Sequence, residues 1–150
     1  MYKFIVILLI SLSSSIVWAD HGNLISKKSA HSVSVTINKL ESVLKKKGIT
    51  IFAHIDHQKG SKSVGKKLRP TELLIFGNPK LGTPLMQSRQ TVGIDLPMKA
   101  LAWEDENGQV WLTYTKPAAM AERHHITDKE KIIKKMTGAL NKFTNIATAP

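Results

Sequence analysis

The chain contains no cysteine. That excludes disulfides, a lipidated N-terminal cysteine, a thiolate nucleophile and thiolate metal ligands together. Acidic residues are scarce, 11 Asp and Glu against 22 Lys and Arg, for a formal net charge of +11. Arginine is scarce among the cations and is confined to Arg69, Arg89 and Arg123. Arginine is the better reader of phosphates and bases. A basic balance built from lysine therefore predicts a solvated basic surface, and nucleic acid is not an expected partner. Glycine patterns that cradle phosphates are missing, with neither a Walker motif nor a dinucleotide fingerprint. A Gly-x-Ser-x-Gly elbow is missing too. Three function classes remain: a binding or interaction module, an enzyme built on scattered carboxylates and histidines, and a basic surface for polyanions or anionic envelope components.

Long apolar runs are also rare; the one present covers residues 4–12. Lys3 precedes it, serines 13–15 interrupt it, and Val17-Trp18-Ala19 follows. A charged start, an apolar middle and small or tolerated residues at the cleavage positions are the parts of a secretory signal. The expectation is a signal peptide over residues 1–19, cleaved to leave Asp20 first, and a periplasmic or secreted product. The run is shorter than the roughly 20 residues of a membrane span, so no stable span is expected after cleavage. Residues 20–31 read as a polar lead-in. Residues 32–150 suffice for one ordinary domain.

Along that domain, alternation of Val33, Val35 and Ile37 predicts a strand over residues 32–37. Asn38 with Glu41 reads as a capping box opening a helix that Gly48 ends. Residues 50–56 read as a strand with Thr50, Phe52, His54 and Asp56 on one side and Ile51, Ala53 and Ile55 on the other. A polar connector over 60–68 leads to an apolar strand at 72–77. Strands at 92–103 and 110–115 flank an acidic tip with the hairpin pair Asn107-Gly108. A terminal helix over 127–147 opens on Thr127 and Glu130 and carries Ile132, Ile133, Met136, Leu140 and Phe143 at helical spacing. This order predicts a two-layer α+β domain, an antiparallel sheet with helices on one face. The other face would be solvated, closed over a ligand, or paired in a homodimer.

Four stretches then carry a resemblance. They are IDH at 55–57, LRPTELLIFGNPKLGTPLMQ at 68–87, IDLPMKALAWEDENGQVWLTY at 94–114, and Ala121-Glu122-Arg123-His124. In this order and spacing they resemble the family called domain of unknown function 302, from about Val33 to the end. The resemblance implies a fold similar to the TATA-binding-protein type, β-α-β(4)-α, and implies no established activity. The matching positions include Asp56, His57, Arg69, Gly77, Asn78, Gly82, Thr83, Asp95, Arg123 and His124. One departure is the doubled His124-His125.

The turn after the apolar strand is the candidate site. Asn78-Pro79 joins a helix N-cap to a proline at the first helical position, and Thr83-Pro84 repeats the device. Gly77 and Gly82 read as positions needing unusual dihedrals or a close approach. Two stacked helix starts beside Lys80 would aim backbone N–H groups at an anion; the plainer reading is a rigid corner. The expected ligand is a small anion, or a partner's carboxylate. Asn78, Lys80, Gly82, Thr83 and Arg123 would hold it, with Asp56 and His124 orienting it. His57, Arg69 and Asp95 complete the candidate set. His54, Asp56, His57 and His124 are metal-ligand types, yet His54 and His57, three apart on a strand, point to opposite sides. No metal and no cofactor is therefore expected. An enzyme would instead use Asp56, His57 and His124 as acid and base. Trp103 and Trp111 are assigned to packing.

Overall fold

Ser32 decides how the domain begins. In the computed structural model, which describes residues 18–150, its side chain accepts a hydrogen bond from Val35 N and caps helix α1 (Val33–Lys46). The strand expected over 32–37 is thus the first turns of a helix, and Asn38 lies inside it rather than at its start. Val33, Thr36, Ile37, Leu40 and Leu44 recur at three- and four-residue spacing and are all buried, whereas Val35 is exposed. Helical periodicity wins because the buried stripe continues past residue 37 to Leu40 and Leu44.

The expected leader lies outside the described residues except for Trp18 and Ala19. Those two fall in strand β1 (Trp18–His21), paired antiparallel with β2 (Leu24–Lys28). The expected loose lead-in is therefore strand. Ser26 and Lys27 of β2 are buried, and Lys27 Nζ donates to Asn141, Thr144 and Asn145 at 2.6–2.9 Å. Burial pushes the Lys27 pKa down to about 8.

Strand β3 (Thr50–Asp56) matches its expected span. It is followed by a short helix α2 (His57–Ser63), then β4 (Thr71–Gly77), helix α3 (Pro79–Ser88) and a 3-10 turn over Gln90–Ile94. Strand β5 (Met98–Glu104) begins later than the expected 92–103, after a cis Leu96–Pro97 bond. The hairpin to β6 (Val110–Thr115) turns as expected, with Gly108 at φ 76°. Asp105 holds that turn by accepting from Trp111 Nε1, Asn107 N and Gln109 N, and these bonds lower its pKa. Helices α4 (Pro117–Arg123) and α5 (Glu130–Thr148) close the chain. Thr127 caps nothing; α5 starts at Glu130 without a side-chain cap.

The six strands form one antiparallel sheet in the order β1-β2-β6-β5-β4-β3. Leu74 and Phe76 of β4, Met98, Ala100 and Ala102 of β5, and Val110, Leu112 and Tyr114 of β6 alternate into one core with α1 and α5. This is the expected two-layer α+β architecture. On the opposite face Leu73, Ile75, Leu101, Trp103 and Trp111 are half-buried, and the two indoles stack with centroids 6.5 Å apart.

Candidate functional site

Asn78 ends β4 and starts α3. Its backbone is extended, its side chain accepts from Lys80 N at 2.9 Å, and its carbonyl accepts from Leu81 N and Gly82 N at 2.9 and 3.0 Å. Pro79 at the first helical position has no N–H to satisfy. The donors that an anion nest needs are therefore used within the turn itself. Pro84 lies inside α3, so there is one helix start and not two. Gly77 and Gly82 are not among the positive-φ glycines. What both supply is space. A Cβ on Gly77 would stand 3.3 Å from Phe52 Cε2 and 3.4 Å from Pro97 Cβ, and one on Gly82 would stand 3.6 Å from Leu96 Cδ1.

Phe52 reaches that position because β3 carries a register shift between Ile51 and Ala53. Such a bulge on an edge strand re-aims a side chain. The ring lies against the end of β4 where Gly77 leaves room, and it remains 56 % exposed. Behind it opens an apolar cavity of about 260 Å³. Phe76 and Met98 supply the sheet side, Met136, Leu140 and Phe143 of α5 the floor, and Leu81, Gly82 and Met86 of α3 one wall. Leu96 and Pro97 supply another wall, and Asn78 and Thr83 are the polar side chains on the lining. Among the described residues no charged side chain lines it. The floor is buried, with Met136 and Phe143 below a tenth exposed, while Phe52 and Met86 stand at the rim.

Asp95 immediately precedes the Leu96–Pro97 wall. Arg123 Nη1 donates to both of its carboxylate oxygens at 2.8 and 3.1 Å. His124 Nε2 lies 2.8 Å from Asp95 Oδ2, and Nδ1 lies 3.1 Å from Thr91 Oγ1. With Asp95 accepting, Nε2 carries the proton, and a neutral ring then accepts at Nδ1 from the Thr91 hydroxyl. The His124 side chain is 9 % exposed and that of Asp95 19 %, against 51 % for Arg123. These bonds tie the end of α4 to the 3-10 turn and so fix the cavity wall. A hydroxyl, an imidazole and a carboxylate in line can also hold or pass a proton.

The candidate residues thus divide into three groups. Asn78, Gly82 and Thr83 line the cavity, with Lys80 exposed on the first turn of α3 beside them. Asp95, Arg123 and His124 form the neighbouring cluster. Asp56, His57 and Arg69 join neither. Asp56 pairs with Glu72 at one end of β4, whereas Gly77 pairs with Thr50 at the other. At about 3.3 Å per residue those ends are roughly 20 Å apart. Asp56 caps α2 by accepting from Lys59 N at 2.8 Å, and His57 is the exposed first residue of that helix. Arg69 Nε donates to the Glu104 carbonyl at 3.0 Å and anchors the loop before β4 to the hairpin. The expected joint action of Asp56 and His57 with His124 is corrected by this separation. Strand direction, unreadable without the pairing, was the missing information.

Sequence reasoning missed Phe52, Met86 and Met98 as lining residues and placed Met136, Leu140 and Phe143 only on a helix stripe. The legible signal was Phe52, a lone aromatic between Thr50 and His54 on an otherwise polar strand side.

Residues 25–143 match the model of the family described as domain of unknown function DUF302. The crystal structure of an uncharacterized conserved DUF302 protein from Bacillus stearothermophilus matches with a TM-score of 0.76. That match covers 84 % of this chain and 98 % of that one at 18 % identity, which shows a shared fold. Two curated relatives are named fluoride-specific ion channel FluC 1, from Brucella suis biovar 1 and Brucella abortus biovar 1. Each is 46 % identical over 124 residues, 80 % of this chain, and the matches cover 49 % and 46 % of those proteins. The chain spans about half the length of the curated relatives it matches. Among its described residues no helix is long and apolar enough to cross a membrane. Family model, fold and motif order agree, and the chain belongs to the DUF302 family.

Proposed function

We propose that this domain is a small-ligand binding module. Its ligand occupies the cavity between Phe52, α3 and α5, with an apolar body inside and a polar end at the rim beside Asn78 and Thr83. The cavity itself carries the reading. Protein interiors leave few voids larger than a water molecule, and an apolar cavity with one or two placed polar groups is the usual form of a ligand site. A bare anion is a poorer fit, because the first-turn donors of α3 are satisfied and Arg123 is paired with Asp95. An anionic group fits as the head of a larger molecule, at the rim near Lys80 and the positive end of α3. The channel name of the Brucella relatives describes proteins about twice this length.

The test is thermal stabilisation of the purified chain by a small aromatic carboxylate, 2-naphthoate. Gly82→Leu is the paired variant, since a side chain there meets only Leu96 within 4 Å and grows into the cavity. Stabilisation of the native chain, lost in the variant, supports the proposal; equal responses contradict it. We also propose export, carried by the signal pattern of residues 1–19. Cleavage after Ala19 would remove Trp18 and Ala19 from β1 and leave β2 paired chiefly with β6. Intact mass of the cell-expressed protein should start at Asp20, and a product retaining Met1 would refute the leader.

A further inference from the structure

We infer that the cavity selects a flat aromatic ligand of about two fused rings, an inference that rests on the cavity being the binding site. Size sets the upper bound. A cavity of about 150 Å³ accepts benzene, and drug-sized ligands take pockets of about 300 Å³ and more. The 260 Å³ here lies between those sizes. Lining chemistry sets the class. Three of the five methionines in the chain, Met86, Met98 and Met136, converge on this cavity with Phe52, Phe76 and Phe143. Thioether sulfur interacts favourably with aromatic rings, commonly at the ring edge. Aromatic pairs gain further in offset or edge-to-face contact. A ring system entering here meets both kinds of partner at once, whereas a saturated chain of equal size gains neither. Position completes the argument. Phe52 and Met86 are exposed at the rim, and the other four are less than a tenth exposed. A flat molecule therefore enters past two exposed side chains and stops on a buried floor. With no charged side chain on the lining among the described residues, the ring system is uncharged inside, and any hydroxyl or acid faces Thr83 or Asn78.

Calorimetric titration with 2-naphthol and decahydro-2-naphthol tests this. The two alcohols share a skeleton, and the saturated one buries at least as much apolar surface, so hydrophobicity alone favours it. The inference predicts the reverse, with 2-naphthol binding about tenfold more tightly. The double variant Met98→Leu, Met136→Leu keeps volume and removes sulfur; it should narrow the preference to about threefold or less. Equal or tighter binding of the saturated alcohol would overturn the aromatic preference and leave the cavity reading intact. Binding of neither alcohol would overturn both. Undiminished binding in Gly82→Leu would place the ligand elsewhere and overturn the inference as well.

Discussion

Gly77 and Gly82 look alike in the sequence and differ in what surrounds them. Both were expected to need unusual dihedrals or a close approach; neither has a positive φ, and only Gly77 has a neighbour closer than 3.5 Å to where its Cβ would stand. Gly77 is close-packed against Phe52 and Pro97, while Gly82 sits in a helix facing open space and Leu96. Gly77→Val should therefore cost about 1–3 kcal/mol through overpacking. Gly82→Ala should be neutral or stabilising by up to about 1 kcal/mol, because a helical glycine is replaced without a clash. Urea titration of the two variants checks this, and equal losses would contradict the packing account. Lys27 makes the second residue-scale prediction. Its pKa is lowered from 10.5 to about 8 by burial. Between those values the unfolded chain keeps a proton that the folded chain has released, so this contribution to stability rises with pH across that window. Chemical denaturation between pH 8 and 10.5 should show that rise, and Lys27→Met should flatten it. An identical pH profile in the variant would show that burial does not govern the lysine.

Helix starts divide the legible from the illegible at the scale of elements. Asn78-Pro79 caps α3 as its residue types announce, and the whole of β3 falls on its expected span. The Asn38–Glu41 and Thr127–Glu130 pairs have the same sequence signature, yet the helices start at Ser32 and after Lys129. A capping box is a local motif, and burial of Val33, Thr36 and Ile37 against the sheet outweighs it. Thr83-Pro84 fails for the opposite reason. Pro84 is the sixth residue of α3, where it forgoes the bond to the Lys80 carbonyl, and α3 still runs on to Ser88. Because Asn78 both caps α3 and lines the cavity, Asn78→Ala should cost about 1 kcal/mol of stability. The loss should appear in thermal melts, and an unchanged melting temperature would show that the cap is idle. The bulge in β3 could not be read beforehand, since register depends on the partner strand.

Across the molecule, antiparallel pairing sorts the candidate residues. Residues close in the sequence motifs, such as Asp56 and Arg69, belong to one end of β3 and β4, and Asn78 belongs to the other. The two-layer class was legible because hydrophobic periodicity and hairpin signals are local. The cavity was not legible, since its walls come from β3, β4, α3, the segment before β5, the start of β5, and α5. Only the fold brings Phe52, Met86 and Met136 to one place. That convergence supplies the most direct measurement of the central claim. Methyl-13C methionine spectra report Met86, Met98 and Met136 at the cavity, and Met120, buried but outside the lining, serves as an internal control. On titration with 2-naphthoate, the three cavity methyls should shift together along one saturating curve while Met120 stays in place. Shifts that spare the three methyls, or that move Met120 equally, would contradict a ligand site in this cavity.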